Sequence, residues 1–528
     1  MKKIIYISLH IVFILMFAPA VCSAQTIQEK SDEDVLKATM QYKDYMFLNN
    51  GAYGTLNPTF MRDLPLEQLA ILQVSYGAGM GDFHKLDKSG DIRDLLVEVY
   101  GVKKLESVSF EGGMSYRNGK EKQRRWNSTL YQAEDNPFIL ADSVFSNYTV
   151  EQFTLDGRFS WEPLDLLRFG INALYEVGAT SDEQDPRLET KGMRFTINPG
   201  IDFKVSKHVK IGATGGVRLF NENSRYSTVE TAINSSFFVM KGFGLSLNNG
   251  GTSYQRETKG TAWFAALQVY MNRPGYTNFL NGGIEQNREK AIDGGTTQQF
   301  VGGEYRNRKI FVNDRFSFAR SKYVHNIEVF GEYDKVEGIW YDQKYITNSS
   351  GQSYWEPKLK SIIYTQDLWQ AALKYRFDVL NAGNTPSWTV SAGAKYANSE
   401  TKNYPDGYKQ SYQNITANIS LSKHFSIKKA VLSLSALGNY MVNLETGLHL
   451  GDDIELKDKY TIPLYNYITS DSYSVQGRIE TKIPIISKRF TSYVGAYVEA
   501  STQRYVGDDN MFRLTHFNRF SGGVNYTF

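Results

Sequence analysis

From about Leu69 onward the chain repeats one device: a segment of about ten to fifteen residues alternating apolar with polar or small side chains, then a turn or a polar loop. Leu167, Phe169, Ile171, Ala173, Tyr175 and Val177 share one side of such a segment, with Arg168, Gly170, Asn172 and Glu176 on the other and Leu174 as the exception. Ala430, Leu432, Leu434, Ala436 and Tyr440 repeat the pattern against Ser433, Ser435 and Asn439. So do Val494, Ala496, Val498 and Ala500 against Tyr493, Gly495, Tyr497 and Glu499. Successive side chains of a strand point to opposite faces, so these segments build a sheet with one apolar and one polar surface. A soluble sandwich or propeller also alternates, but with strands of about five or six residues; a tilted strand crossing a bilayer needs about nine to eleven. The long segments, with aromatics towards their ends such as Phe159 with Trp161, Tyr323 and Tyr440, select the membrane form.

Composition agrees with a barrel. The longest apolar run, Ile4 to Phe17, lies at the N-terminus, so no internal stretch supplies the roughly 18 apolar residues of a membrane helix. Mean hydropathy is −0.41, as expected where half of each strand and the long loops face water. With Tyr 35, Phe 31 and Trp 7, the chain is far too aromatic to be disordered. One cysteine excludes a disulfide scaffold, and a formal net charge of +3 gives no argument for nucleic acid.

The first residues read as an export signal. Lys2 and Lys3 precede the apolar run, and Cys22-Ser23-Ala24 forms a small-x-small cleavage site before Gln25. The expected organisation is a cleaved signal peptide over 1–24, an N-terminal segment over 25–68 and a barrel over 69–528. The middle segment carries a short helix capped by Ser31, with Asp34 in the capping-box position. It has two available places, the periplasm or the barrel mouth.

The fold class expected is all-β, a transmembrane antiparallel up-and-down barrel of about 20 strands, even in number and between 18 and 24. Up-strands are placed from Leu69, Ser107, Leu166, Val209, Lys259, Gln298, Tyr323, Trp388, Lys429 and Thr491. Down-strands start near Ile92, Tyr148, Lys191, Ser236, Asn278, Ile310, Ile362, Ser411, Tyr473 and Thr515. Short periplasmic turns should then alternate with long external loops. Short turns fall at 102–105, 162–165, 206–208, 320–322, 424–428 and 486–489, and long loops at 118–146, 181–190, 343–360, 400–410 and 445–470. Three places break the phase: 273–275 and 306–307, short on the outside, and 378–387, broad on the inside.

The last residues place Phe520, Val524, Tyr526 and Phe528 on one face and Ser521, Asn525 and Thr527 on the other. A terminal amphipathic strand ending on Phe resembles the closing strand of bacterial outer-membrane barrels, which in that family is read by the barrel-assembly machinery. Together with the signal ending in Ser23-Ala24-Gln25 and the Tyr-rich strands, it resembles the porin-like outer-membrane barrel proteins of Bacteroidota, some of them near TonB-dependent uptake loci. The resemblance implies outer-membrane location in a Gram-negative envelope and a role in transport or beside an uptake receptor or surface lipoprotein. TonB-dependent receptors carry a plug domain before the barrel, and Gln25 to Gln68 is too short for one. That departure weighs against receptor-type transport.

No nucleophile elbow, zinc-protease motif or phosphate loop is present, and no cofactor is expected; the chain reads as non-enzymatic. Gly77 to Gly81 reads as a strand bend. His208, His325 and His424 read as interfacial residues, and no histidine pair stands at metal spacing. His449 with Asp452 and Asp453 is the catalytic candidate, as an outer-rim hydrolase. Asp508, Asp509 and Asn510 are the metal candidates, oxygen ligands for a loop Ca²⁺ in what otherwise reads as a solvated tip.

Arg168, Asn172, Glu176, Tyr493, Tyr497, Glu499, Arg519 and Asn525 fall on the luminal face, with both charge signs. The leading expectation is porin-like passage of small hydrophilic solutes. The alternative is a closed scaffold that docks an uptake receptor or surface lipoprotein. For that reading Lys120, Lys122, Arg124, Arg125 and Trp126 supply a basic, aromatic loop suited to a partner or to lipopolysaccharide phosphates.

Overall fold

The computed structural model describes residues 38–42, 55–64, 66–127, 129–229, 237–249, 253–294, 299–486, 491–507 and 516–528. Its strands are β1 (Gln68–Gly81), β2 (Asp91–Lys104), β3 (Val108–Arg124), β4 (Leu140–Asp142), β5 (Ser146–Leu164), β6 (Leu167–Asp182) and β7 (Arg187–Ser206). Next come β8 (Val209–Ser227), β9 (Phe237–Met240), β10 (Ser246–Asn249), β11 (Ser253–Arg273), β12 (Tyr276–Asp293), β13 (Phe300–Arg320) and β14 (Tyr323–Thr347). The last are β15 (Ser353–Leu380), β16 (Pro386–Asn403), β17 (Lys409–Ile427), β18 (Ala430–His449), β19 (Ser472–Ile486), β20 (Thr491–Tyr505) and β21 (His516–Thr527). A helix, α1 (Ile462–Thr469), lies between β18 and β19, and a 3₁₀ helix (Pro58–Asp63) precedes β1.

Eighteen strands form one closed antiparallel sheet. Each pairs with its barrel neighbour in sequence, and β21 pairs with β1 to complete the ring, in register from Ile71↔Thr527 to Gly81↔Phe517. Closure leaves no open edge, the condition a sheet must meet to sit in lipid. The outward alternate positions carry exposed Leu72, Val74, Leu155, Ile171, Ile201, Leu267, Ile419, Ile479 and Val498. An apolar band of this kind belongs against hydrocarbon. Aromatic pairs gather where the strands meet the short turns, with Trp161 against Phe169 and Tyr323 stacked on Phe377. Among the described residues no helix is long and apolar enough to cross a membrane.

The count of 18 is even and at the lower end of the expected range. The difference from 20 has two local sources. The strand expected near Ser236 is β9, which never joins the wall: Phe237, Phe238, Val239 and Met240 are a continuous apolar run because both faces of β9 are buried inside the barrel. The turn expected at 306–307 lies within β13, whose outer half is polar on both faces, with Arg306 paired to Glu304. Removing both restores the phase. The 273–275 turn and the 381–385 connection then fall on the same short-turn rim as the rest.

Residues 55–64 enter the short-turn end of the lumen. The Asn57 side chain caps the 3₁₀ helix by accepting from the Thr59 N–H, while its Nδ2 donates to the carbonyls of Ile201 and Ala213 and to Gln268 Oε1. Phe60 packs edge-on against Tyr270 and Phe279. Asp63 pairs with Arg168 and Lys210, and Arg62 with Glu162. Met40 joins Leu64, Leu66, Leu69 and Tyr493 in a small core at the same end. The barrel mouth is therefore the place these residues take. The capping residues Ser31 and Asp34 and the export signal lie outside the described residues.

Candidate functional site

The stretches between β3 and β5 and between β18 and β19, together with β9 and β10, fold inward and roof the lumen. The long loops expected at 181–190, 343–360 and 400–410 are instead mostly strand, because β6/β7, β14/β15 and β16/β17 run on past the expected boundaries into tight hairpins. Within the barrel β4 pairs with β9, and β9 with β10, in a three-stranded antiparallel sheet. One face packs on the wall: Leu140, Phe237 and Val239 meet Tyr148 of β5, Leu188 of β7 and Tyr226 of β8, and Phe237 stacks on Tyr226 at 5.1 Å. The other face carries Ala141, Phe238 and Met240, which bury Trp126 and Leu456, with Tyr460 and Leu86 alongside. Phe83 meets Tyr467 of α1, and the Tyr465 hydroxyl donates to the Ser411 carbonyl on β17. Loops from several sides thus share one core.

The stretch between β3 and β4 is fastened across the wall by buried carboxylates. Glu222 on β8 accepts from the backbone N–H groups of Leu130 (2.9 Å) and Tyr131 (2.8 Å). Glu289 on β12 accepts from the N–H of Ala133 (3.1 Å) and from Asn136 Nδ2 (2.7 Å). The Tyr305 hydroxyl on β13 donates to Asp135 (2.8 Å). Arg256 on β11 forks onto Asp293 (2.6 and 2.7 Å) and gives its remaining arm to the Phe138 carbonyl (3.1 Å). Wall glycines make room: the Phe138 ring lies 2.3 Å from where a Cβ on Gly303 would stand, and the Tyr131 ring 2.8 Å from one on Gly192. Burial pushes the Asp135 carboxyl above the usual range. Burial also pushes Asp142 of β4 up, to about 7, with Asp182 nearby adding to the effect and the Val144 N–H opposing it.

Beneath this roof lies a cavity of about 430 Å³. Leu130 to Asp135 close its outer side, and Arg194, Arg218, Glu285, Asn287, Lys309 and Asp334 line its walls. Strand register explains the grouping, because Glu285↔Lys309, Asn287↔Asn307 and Lys309↔Asp334 are facing cross-strand pairs on one side of the sheet. Arg194 is bidentate to Glu176 (2.5 and 2.7 Å), Arg218 pairs with Glu285 (2.9 Å), and Lys309 lies between Glu332 (3.4 Å) and Asp334 (3.7 Å). A second cavity of about 110 Å³ sits on the other side of the same segment, lined by Tyr364, Thr401, Phe243 and Tyr460. Glu134 and Asp135 belong to the linings of both.

The residues singled out from sequence separate into distinct places. Lys120, Lys122 and Arg124 lie on the last turns of β3 and are not loop residues. Lys120 is exposed, whereas Arg124 is buried against Glu121 and Tyr148. Arg125 covers Phe145. Trp126 is 1% exposed in the roof core, so it cannot serve an outward patch. The sequence placed it outside because a loop tryptophan among basic residues carries no sign of folding back.

Phe520, Val524 and Tyr526 take the outward face of β21 and Phe528 follows it on the same side, while Asn525 and Thr527 are buried within. Arg168, Asn172 and Glu176 face inward, and each has a polar partner there, respectively Asp63, Asn198 and Arg194. Asp452 pairs with Lys457 and Asp453 accepts from Tyr408, so neither is paired with His449 in a catalytic arrangement. Asp508, Asp509 and Asn510 lie outside the described residues. Among the described residues no cluster of histidine, cysteine or acidic side chains is placed to hold a metal ion. The cavity residues Glu285, Glu289, Tyr305 and Lys309 went unrecognised in the sequence. Their signal was present as the 285/287/289 and 305/307/309 alternations, hidden by the split of β13.

The architecture defines a large outer-membrane-type β-barrel whose lumen is occupied by its own loops and by residues 55–64. The chain belongs to a family of unknown function, DUF6850, whose model matches residues 58–528. No curated protein matches it. Among solved structures it is similar to BauA, the ferric preacinetobactin receptor from Acinetobacter baumannii, at 10% identity over 88% of this chain and 80% of that one, with a TM-score of 0.40. It is similar to the RagAB peptide importer in its closed-closed state at 8% identity, 87% and 86% coverage and TM-score 0.39. A Pseudomonas aeruginosa FadL homologue matches at 11% identity, 89% and 92% coverage and TM-score 0.33. No residue role transfers from these at such scores.

Proposed function

We propose that this protein is an outer-membrane barrel, exported through its N-terminal signal, that takes up small hydrophilic solutes through a gated lumen. The porin-like passage expected from sequence is thereby refined to one that is closed at rest. The observation that carries this reading is the double role of Glu134 and Asp135, which wall off the deeper cavity from the outer one. A short segment held by side-chain acceptors, with a polar hollow on one side and a smaller, largely apolar one on the other, is what a removable partition requires. A lumen this wide must otherwise hold water or be filled, and here both a filled roof and a polar hollow are found. The barrel carries out this role without chemistry: the wall binds and orients, and the roof moves.

Planar-bilayer recording tests the proposal. The intact protein should show little or no current, and a variant with residues 130–136 replaced by a short Gly-Ser linker should conduct. Silence from both would sink the uptake reading. Equal free conductance from both would return the protein to an always-open pore.

A further inference from the structure

The deeper cavity is unevenly charged. Its bases are Arg194, Arg218 and Lys309, and each is already committed to a wall carboxylate. On the acidic side three carboxylates are left with no base of their own. Glu289 accepts only from neutral donors, the Ala133 N–H, Asn136 and Asn287. Asp135 accepts from the Tyr305 hydroxyl, with Lys309 as its more distant positive neighbour. Asp334 has one base, Lys309, shared with Glu332 and 3.7 Å away, and the neutral Asn307 amide beside it. Asp334 is 6% exposed, it lines the cavity, and its Oδ1 is buried without a hydrogen-bond partner. An unpartnered carboxylate oxygen in low-dielectric surroundings is costly and asks for a donor.

We infer that the cavity is a binding site for a small organic cation, a solute presenting a primary amine or guanidinium to Asp334 with Asp135 and Glu289 beside it. An anion entering the same space would meet bases that are already paired and carboxylates that are not. A bare metal ion is a poorer fit, because among the described residues no acidic cluster is placed at ligating distance. The volume of about 430 Å³ suits a solute of amino-acid to dipeptide size. Asn287 and Asn307 supply neutral donors and acceptors for the rest of such a molecule. The inference rests on the uptake reading for its biological meaning, but its physical content is binding, which can be measured separately.

Equilibrium dialysis of the full chain in detergent micelles, with radiolabelled 1,4-diaminobutane as cation and succinate as anion, tests it. Both the intact and the roof-replaced protein are used, the second keeping Asp334 and Glu289 but not Asp135, so that a closed roof cannot mask the site and binding to the two wall carboxylates is read on its own. Diaminobutane should bind at least one form and succinate neither. Asp334→Asn should weaken binding at least tenfold, and Asp334→Glu should restore part of it, with heat-modifiable migration on gels confirming a folded barrel in each. In bilayers the roof-replaced pore should pass K⁺ over Cl⁻ by about tenfold, and Asp334→Asn with Glu289→Gln should bring the ratio towards one. Absence of amine binding in both forms, or equal binding of succinate, overturns the inference. A roof-replaced protein that binds the amine yet never conducts overturns the uptake reading alone.

Discussion

Asn136 in the roof donates from Nδ2 to the Glu289 carboxylate on β12 at 2.7 Å, and the same carboxylate accepts from the backbone N–H of Ala133. One wall side chain therefore holds both ends of the segment that parts the two cavities. Hydrogen bonds to a charged acceptor contribute about 1.5–3 kcal/mol each, and their buried donors would be left unsatisfied on truncation. Glu289→Ala should weaken roof docking by about 2–3 kcal/mol, a roughly 30- to 150-fold rise in the undocked population. Glu289→Gln keeps an acceptor and should do much less. Amide deuterium exchange over 130–136 reads the effect; unchanged exchange in Glu289→Ala would mean the roof is held elsewhere.

Gly303 on β13 has φ +125°, and a Cβ there would stand 2.3 Å from the Phe138 ring. Both the backbone and the space demand glycine. Gly303→Ala should leave the barrel closed, since strand pairing survives at its neighbours, but drive Phe138 off its seat beside Trp340. The expected result is faster protease cleavage within 130–139 with unaltered heat-modifiable migration. A variant as resistant as the parent would show that Phe138 does not anchor the roof.

Roof docking should depend on pH through Asp142. Its pKa is about 7 when β4 is docked, against about 3.9 for a solvated aspartate. The docked state therefore holds a proton that the undocked state releases over this window. Its contribution is greatest below about pH 4, declines across the window, and is gone once the pH passes about 7. Exchange protection at 140–142 and 237–240 should be higher at pH 5.5 than at pH 8. Asp142→Asn, which keeps the neutral form, should flatten the profile. Equal protection of the parent at both pH values would contradict this assignment.

Phe528 closes the ring. Its N–H donates to the Ala70 carbonyl at 2.9 Å and its own carbonyl accepts from the Ala70 N–H at 2.7 Å, so the last residue zips β21 to the first strand. Removing it forfeits both bonds and an exposed lipid-facing ring. Deletion of Phe528 should reduce the fraction of heat-modifiable, folded barrel in outer membranes several-fold. Wild-type yield would argue that closure is complete without it.

The wall was legible in the sequence because alternation is enforced along every strand by two different solvents, lipid outside and water or polar loops within. Phe520, Val524 and Phe528 face outward, as their spacing requires. Legibility failed where that enforcement stops. β9 is sandwiched between Tyr226 and Trp126, so Phe237 to Met240 shows no period. The outer half of β13 stands among polar groups on both sides, so Arg306 and Asn307 look like a turn. The roof was hidden for a third reason. Its docking is written in single residues of the wall, such as Glu222, Glu289 and Arg256, whose partners include backbone groups 91 to 156 residues away. A loop that binds through its own N–H groups leaves almost no mark on its sequence.

At the opposite end, Asn57 joins the 3₁₀ helix to three strands of the wall through one side chain. Capping residues of this kind contribute about 0.5–2 kcal/mol, and here the amide also satisfies the carbonyls of Ile201 and Ala213. Asn57→Ala should free residues 55–64 from the lumen without disturbing the wall: Arg168 keeps Glu162 at 3.4 Å, while Lys210 would lose its ion-pair partner once Asp63 departs. Gly200→Ala should do the same from the wall side, since its Cβ would stand 2.2 Å from Asn57 Oδ1. In the roof-replaced pore either change should at least double the single-channel conductance, because the narrowing that remains is this segment. The released Lys210 should at the same time lower the K⁺ over Cl⁻ preference. A larger current with unchanged selectivity would mean that only the part around Asn57 moves while Asp63 stays at Lys210, and an unchanged current would mean that residues 55–64 do not restrict the path.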